Sequence, residues 1–428
     1  MNPKVSVILT SYNKPQTVGK AIDSVLRQTM QEWELFIMDD ASNEETAKVI
    51  NKYLNDKRIH YCNSYVDDQD RYKKTRYAAL INQAIPLTTG KYLSYLTDDT
   101  EYLPTRLKEM TNFLDRYSNI DIVYSGQMIQ HVDNELKLVS MKTRKTKGVL
   151  KRAANRVDHC SVLHSRTIAE KVFRKYRSYW DDNPKYWHNG DAAFWSRLNE
   201  FEPFYPIHKV LDISYKTPSS FQKLNAFLPP KIPDGILVKG LGSEVYLIDQ
   251  QKRRQIKDEM FDRLKYNHQK IVAVPDPVLF KYPCGDPIDE SIFRNQTIPN
   301  QRLIKAEERA DLFYLQGNQK RKILDQKAIR RFHFKLEELV HVNQEDIENI
   351  ADGPHIHSTF SPKFILPDGV IYLEGSDYFL SYKNILHLIH IQVLKKLQFS
   401  EAEFVRMTKE ERLLFEEGES LLFEIFRK

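Results

Sequence analysis

The chain has 428 residues, of which 41% are apolar and 29% charged, and a formal net charge of +6. Length and composition together predict two or three soluble globular domains. So mild a basic excess, gathered in no recognised motif, excludes a nucleic-acid-binding protein and leaves only a weak pull toward acidic partners.

The N-terminus runs straight into Val5–Thr10, an apolar strand of the kind buried on both faces of a sheet. No basic segment with a long apolar core precedes it, so no secretory leader is expected. No apolar run approaches the ~20 residues of a membrane span. Cys62, Cys160 and Cys284 lie far apart and show neither a disulfide framework nor a metal-ligand spacing, so a reducing, cytoplasmic setting is the simplest expectation.

Pro15 opens a helical pattern through Val18, Ile22, Val25 and Leu26. Trp33–Met38 is a second strand ending in Asp39-Asp40, and Ser42 with Glu45 reads as a capping box for a helix from Glu44 to Leu54. Arg58–Cys62 is a third, weaker strand, and Arg71–Ile85 a strong helix. The fourth strand, Tyr92–Thr97, stops at Asp98-Asp99. Thr105–Tyr117 then reads as a helix, Ile122–Gln130 and Lys137–Met141 as strands about a turn, Val157–His164 as a short strand, and Ala192–Leu198 as a helix behind Gly190-Asp191.

Strand–helix alternation with short links predicts an α/β layer around a mostly parallel sheet. The C-terminal ends of the first, second and fourth strands share one sheet edge, where open α/β sheets bind ligands, so Tyr12, Asp40 and Asp98-Asp99 can face one crevice. Paired carboxylates are hard oxygen ligands suited to Mg²⁺ or Mn²⁺, and a cation held there can grip a diphosphate. The competing reading is a polar turn. No glycine-rich phosphate loop follows any strand, which removes the main support for a dinucleotide-binding protein or a nucleoside triphosphatase. Asp191, at a helix start, reads from spacing alone as an N-cap.

Val5-Ser6-Val7-Ile8-Leu9-Thr10-Ser11-Tyr12-Asn13-Lys14, Asp39-Asp40 and Thr97-Asp98-Asp99 resemble the family 2 glycosyltransferases of the GT-A fold, which is Rossmann-like. Lys74–Ile85, Asp158-His159-Cys160-Ser161-Val162, Ser178-Tyr179-Trp180-Asp181, Gly190-Asp191-Ala192 and Pro203-Phe204-Tyr205-Pro206 narrow the likeness to spore-coat polysaccharide glycosyltransferases of that family. The resemblance covers roughly the first half of the chain. It implies that Thr10, Tyr12 and Asp40 hold a uridine, Tyr12 by stacking and Asp40 by accepting from a base N–H. It implies Arg71 near the nucleotide, Asp98 at the ribose, and Asp99 as ligand of Mn²⁺ or Mg²⁺ under the diphosphate. Asp191 is implied as the general base of an inverting transfer. His159, Trp180 and Trp187 are expected on the sugar and acceptor side, with packed core residues as the alternative. The Gln-x-x-Arg-Trp signature of processive synthases is absent, so single sugar additions are expected.

Residues 223–233 hold three prolines and no periodicity and read as a linker between a domain over 1–222 and a smaller α+β module over 234–428. That module repeats: Lys252-Arg253-Arg254 recurs as Lys320-Arg321-Lys322, displaced by 68 residues, and a third, partial copy starts at Pro367-Asp368-Gly369. Each copy reads as a hairpin whose turn carries the basic cluster, followed by a short helix. The clusters are expected to be solvated or to meet an acidic partner. Ile385–Leu394 reads as a buried helix, and Ser400–Phe426 as an amphipathic helix packed on the repeats or on a partner chain. His355 and His357 are a weak candidate metal pair.

The expected function is an inverting, metal-dependent glycosyltransferase. It moves a sugar from a UDP- or dTDP-sugar to a glycan or glycoprotein of the spore surface, on the mother-cell side of the forming spore. The C-terminal module is expected to reach spore-coat proteins, and self-association is left open. The alternative is a non-catalytic assembly protein of the spore outer layer whose first half binds nucleotide or glycan.

Overall fold

The structure is a computed structural model, and it describes residues 2–306 and 310–423. They fall into two compact units that part between Lys223 and Leu224.

The first unit holds β1 (Val5–Ser11), α1 (Val18–Leu26), β2 (Trp33–Asp39), α2 (Glu44–Asn51), β3 (Ile59–Asn63), α3 (Arg76–Ala84), β4 (Tyr92–Thr97), β5 (Thr100–Tyr102) and α4 (Arg106–Arg116). It continues with β6 (Ile122–Val132), β7 (Leu138–Arg144), β8 (Val162–Ser165), α5 (Arg166–Tyr176), α6 (Gly190–Asn199) and β9 (Tyr205–Lys216). One nine-stranded sheet runs in the order β3-β2-β1-β4-β8-β6-β9-β5, with β7 on β6. The β3-β2-β1-β4 half is parallel, and β6 and β9 are parallel to each other. β8 and β5 join antiparallel. This is the α/β class that the strand–helix alternation predicts.

Both faces of the sheet are covered, which is why β1 and β2 are apolar without alternation. Ile8, Phe36, Met38, Leu93 and Tyr95 face α3, α5 and α6. Val7, Leu9, Leu35, Ile37 and Leu96 face α1 and α4. Strand pleating sends successive side chains to opposite layers, so one apolar run supplies two cores.

Local details differ from the sequence reading where side chains compete for the same backbone groups. The cap of α2 is Asn43, whose Oδ1 accepts from the Thr46 N–H at 3.0 Å, while the Ser42 hydroxyl accepts from the Asn13 N–H. The helix ends at Asn51, short of Leu54. Arg71 stands in a separate 3₁₀ turn, Asp68–Lys73, because Thr75 leaves the helical region before α3 begins. Asp158 likewise precedes a 3₁₀ turn, His159–Ser161, and β8 starts only at Val162.

The second unit contains three copies of one motif. The first holds β10 (Leu237–Lys239), β11 (Val245–Asp249), β12 (Lys252–Ile256) and β13 (Val272–Ala273). The second holds β14 (Leu303–Ala306), β15 (Phe313–Gln316), β16 (Gln319–Lys322) and β17 (Val340–Val342). The third holds β18 (Ile371–Glu374), β19 (Asp377–Tyr382), β20 (Ile385–Leu388), β21 (Val405–Arg406) and β22 (Glu416–Glu417). Each is a small sheet in which β10, β14 or β18 lies between a hairpin partner and a parallel strand. The three apolar cores are shared pairwise: first copy with second, first with third, second with third. A single copy cannot bury its own apolar face, so the three close on one another.

Several readings of this half are corrected. The hairpin turns are Gln250-Gln251, Gly317-Asn318 and Lys383-Asn384, all with positive φ. The basic residues sit on the returning strands; Lys252 stays exposed and Lys322 half-buried, but Arg253, Arg254, Lys320 and Arg321 are each under 10% exposed. They are interior because their long donors cap carbonyl oxygens that the short sheets leave unpaired. Arg254 binds the Asp286 and Thr297 carbonyls, and Arg321 the Pro354, Ile365 and Leu366 carbonyls. The third copy is complete in its hairpin, so the stretch 385–394 is divided between β20 and a helix, Ile391–Lys396. No long helix covers 400–423; that stretch breaks into a 3₁₀ turn, β21, a four-residue helix and β22, and Phe426 lies outside the described residues. His357 stacks on Phe364 at 3.7 Å, and no group of three metal-ligating side chains occurs among the described residues. Among those residues no helix is long and apolar enough to cross a membrane.

Candidate active site

The C-terminal ends of β1, β2 and β4 lie side by side, since β1 pairs with both neighbours in parallel. Tyr12 follows β1, Asp40 follows β2, and Asp98-Asp99 follows β4. The Tyr12 N–H donates to Asp98 Oδ2 at 2.7 Å, which ties the first edge to the third. Thr10 is buried at the end of β1, paired with Thr97.

Arg71 joins this group through the 3₁₀ turn. Its guanidinium lies 4.0 Å from the centre of the Tyr12 ring and donates to Asp40 Oδ2 at 2.7 Å. Arg76, at the start of α3, grips Asp40 Oδ1 at 2.5 Å, and the Ser64 hydroxyl adds a third donor. The lone pairs of Asp40 are therefore occupied by protein donors. Its visible work is to hold Arg71 against Tyr12, and a base N–H would have to displace one of these donors. Arg76 was missed in the sequence because nothing in a helix start marks an arginine as the partner of an aspartate on another strand.

Asp98 is buried. Burial first, and the charge of Asp99 second, push its carboxyl up to about 7. Asp99 is half-buried; its Oδ1 accepts from the Thr97 hydroxyl at 2.8 Å, and its backbone carbonyl accepts from the Tyr215 N–H. No hydrogen bond to its Oδ2 occurs among the described residues. A single carboxylate with a free oxygen fits Mg²⁺ or Mn²⁺, which keep several waters and complete their shell with substrate phosphates. Asp99 is the residue that would hold such a cation.

The turn after Val157 brings the second half of the site to Asp99. The Thr97 hydroxyl lies 3.4 Å from Cys160 Sγ. Asp158 accepts from the Cys160 N–H and from Arg144 at 3.0 Å. Burial works against its charge, but Lys216 and Arg144 outweigh it and hold its carboxyl down at about 2. Lys216 ends β9 among these acids. Burial opposes its charge, and Asp99 followed by Asp158 raises its pKa regardless. Lys216 carries no motif and was not singled out in the sequence.

Asp191 occupies the first turn of α6, half-buried, with Oδ1 accepting from the Ala192 N–H at 2.8 Å. The helix start is set by the Gly190 N–H, which donates to the Tyr77 hydroxyl at 2.6 Å. Burial, then the negative charge of Asp158, pushes the Asp191 carboxyl up to about 7. Asp191 and Asp99 thus both flank the Asp158–Cys160 turn from different elements.

The three aromatic and histidine positions expected on the acceptor side part company. His159 is half-buried, ringed by Tyr77, Tyr95 and Trp180. Burial lowers its pKa to about 4, so it is neutral at physiological pH, and its Nε2 has no protein partner among the described residues. Trp180 is corrected to a core residue: it is 0% exposed and stacks on Phe194 at 4.7 Å, leaving no face for a sugar. Trp187 is half-buried and packs its ring against Phe221 at 4.0 Å.

Acids thus gather at the C-terminal ends of three parallel strands, with an aromatic–arginine pair beside them. The family described as Glycosyl transferase family 2 matches residues 6–177, and the chain belongs to it. It is 44% identical to Protein CgeD of Bacillus subtilis (strain 168) over 398 residues, covering 92% of this chain and 91% of that one. It is 32% identical over 127 residues to the putative glycosyltransferase EpsE of the same organism, covering 30% of this chain and 44% of that one. Among solved structures it resembles S. aureus TarS 1-349 in complex with UDP-GlcNAc, with TM-score 0.40 and 16% identity over 53% of this chain and 62% of that one.

Proposed function

We propose that the first unit transfers a single sugar from a UDP- or dTDP-sugar to a glycan or glycoprotein acceptor with inversion at the anomeric carbon. Asp191 takes the proton from the acceptor hydroxyl. The oxygen attacks the anomeric carbon, the bond from that carbon to the phosphate oxygen breaks, and the nucleoside diphosphate departs with the electron pair. Tyr12, backed by Arg71 and Asp40, supplies the face for the base. Thr10 and Asp98 line the floor toward the ribose. Asp99 would hold a divalent cation, which would supply charge neutralisation at the leaving diphosphate. Lys216 adds a fixed positive charge beside Asp99.

The observation that carries the reading is the environment of Asp191. A carboxyl near pH 7 is matched to general-base work at neutral pH, and an ionised Asp158 beside it favours proton uptake. The resemblance at Asp158–Val162 and Ser178–Asp181 points to an acceptor on the spore surface, with coat proteins as partners of the second unit.

The test is a screen of nucleotide sugars with Mn²⁺ for transfer or hydrolysis. Asp191→Asn is expected to keep nucleotide binding and lose at least a hundredfold in turnover. Asp99→Ala is expected to lose the Mn²⁺ dependence of nucleotide binding. Turnover by Asp191→Asn at the parental rate overturns the base assignment. Absence of heat on titrating UDP and dTDP with Mn²⁺ favours the non-catalytic assembly protein instead.

A further inference from the structure

The three copies of the second unit meet around a cavity of about 180 Å³. Each contributes the same corner. In each, a short helix ends at a residue with positive φ (Lys265, His333 and Gln398), and the next residue is aromatic: Tyr266, Phe334 and Phe399. The N–H of each aromatic returns to the helix by the same bond, to the Phe261, Ile329 and Leu394 carbonyls. The three aromatics therefore stand at equivalent positions around one space, and all of them line it.

The opposite side is closed by a broken symmetry. Gly235 and Gly369 have φ of +88° and +79°, and the third equivalent position is Gln301, also at positive φ. A Cβ at either glycine would run into the Gln301 side chain. One glutamine thus fills the room that two glycines vacate, and its Nε2 donates to the Asp234 carbonyl at 3.1 Å. Only glycine permits that approach and that φ together.

Polar groups converge on the same space. Lys270 donates to Glu403 at 2.9 Å, and Lys335 bonds both Glu403 and, at 3.5 Å, Glu338. Tyr266 also lines the space, but its hydroxyl is closed off from solvent.

We propose that this cavity binds one saccharide ring. The cavity exceeds the roughly 150 Å³ that holds a bare benzene ring and is open to solvent, so a pyranose can seat one face of its ring with some hydroxyls left in water. Aromatic walls suit the C–H faces of a sugar, and lysine–glutamate pairs with spare protons and lone pairs suit its hydroxyls. The lining also carries Lys265, Arg302 and His333, so inorganic phosphate is the rival ligand to be told apart from a sugar. The site belongs to the second unit and stands independently of the transfer chemistry proposed for the first.

The test uses the full chain, with isothermal titration and saturation-transfer NMR against a panel of hexoses, N-acetylhexosamines and hexuronates, and with inorganic phosphate as the control. At least one sugar is expected to bind. Lys335→Gln, which removes one of the cavity's donors, is expected to weaken that sugar about fivefold, and Glu403→Gln about tenfold. Both are expected to leave nucleotide-sugar turnover unchanged, and Asp99→Ala is expected to leave the sugar bound as before. A panel that binds nowhere, a sugar that binds both substituted chains as tightly as the parent, a sugar lost with Asp99→Ala, or phosphate competing for the site each overturns the proposal.

Discussion

Asp191 is where a single residue decides most. Its folded pKa of about 7 stands above the ordinary carboxylate value of 3.8, so the folded chain holds a proton that the unfolded chain has given up between those values. Stability from this group is fully present below the lower value and is lost as pH rises through the upper one. The transfer rate should rise about tenfold per pH unit up to roughly pH 7 and flatten above it, as a pH–rate profile will read. Asp191→Asn should unfold at a higher temperature than the parent at pH 8, with a smaller difference at pH 5, by scanning calorimetry. A flat rate profile from pH 5 to 8 would remove Asp191 from the chemistry. Spacing placed Asp191 at the start of α6 but as its N-cap, a position that Asn189 holds, with Asp191 inside the first turn. Its pKa was not legible, because burial and the charge of Asp158 come from other elements.

At the scale of elements, α4 positions the site through one side chain. Arg106 is 0% exposed and donates to the Ser94 hydroxyl at 2.9 Å and to the Cys160 and Val162 carbonyls at 2.6 and 3.1 Å. Its guanidinium also lies 3.8 Å from the Tyr102 ring centre. A helix thereby holds the Asp158–Cys160 turn against β4. Arg106→Met leaves buried acceptors without donors and should cost at least about 2 kcal/mol in chemical denaturation. It should also lower turnover more than it lowers nucleotide affinity, since Tyr12 and Arg71 are untouched. Equal losses in both would show that α4 only supports the fold. The sequence places α4 correctly by its apolar period, but a charged residue at its start reads as solvated until its contacts are seen. The same blindness applied to Ser42: capping by Ser42 or by Asn43 differs by one residue, and the Asn13 loop decides it.

Across the whole molecule, the arginines of the second unit show how far composition can mislead. Arg321 is 1% exposed and donates to Gln316 and to three backbone carbonyls. Arg321→Leu should lower stability by about 3 kcal/mol or more and bring the 320–366 region into early proteolytic cleavage. An unchanged cleavage pattern would return these arginines to the solvated surface. A repeat was visible in the sequence because apolar and basic residues recur in order. That the copies close on one another through three shared cores was not, because each cluster draws on residues from two copies.

The order of residues along the chain was by itself enough for the α/β alternation, the carboxylates at strand ends and the recurrence in the second half. These depend on interactions between neighbours, on pleat and helical period, and those are written locally. Only the tertiary structure decided that Asp40 is already held by Arg71 and Arg76, that Trp180 is core, that Lys216 stands beside Asp99, and that three aromatics line one cavity. Each of these turns on groups distant in sequence that share one low-dielectric space, where burial and neighbouring charge outweigh the chemistry a side chain has alone.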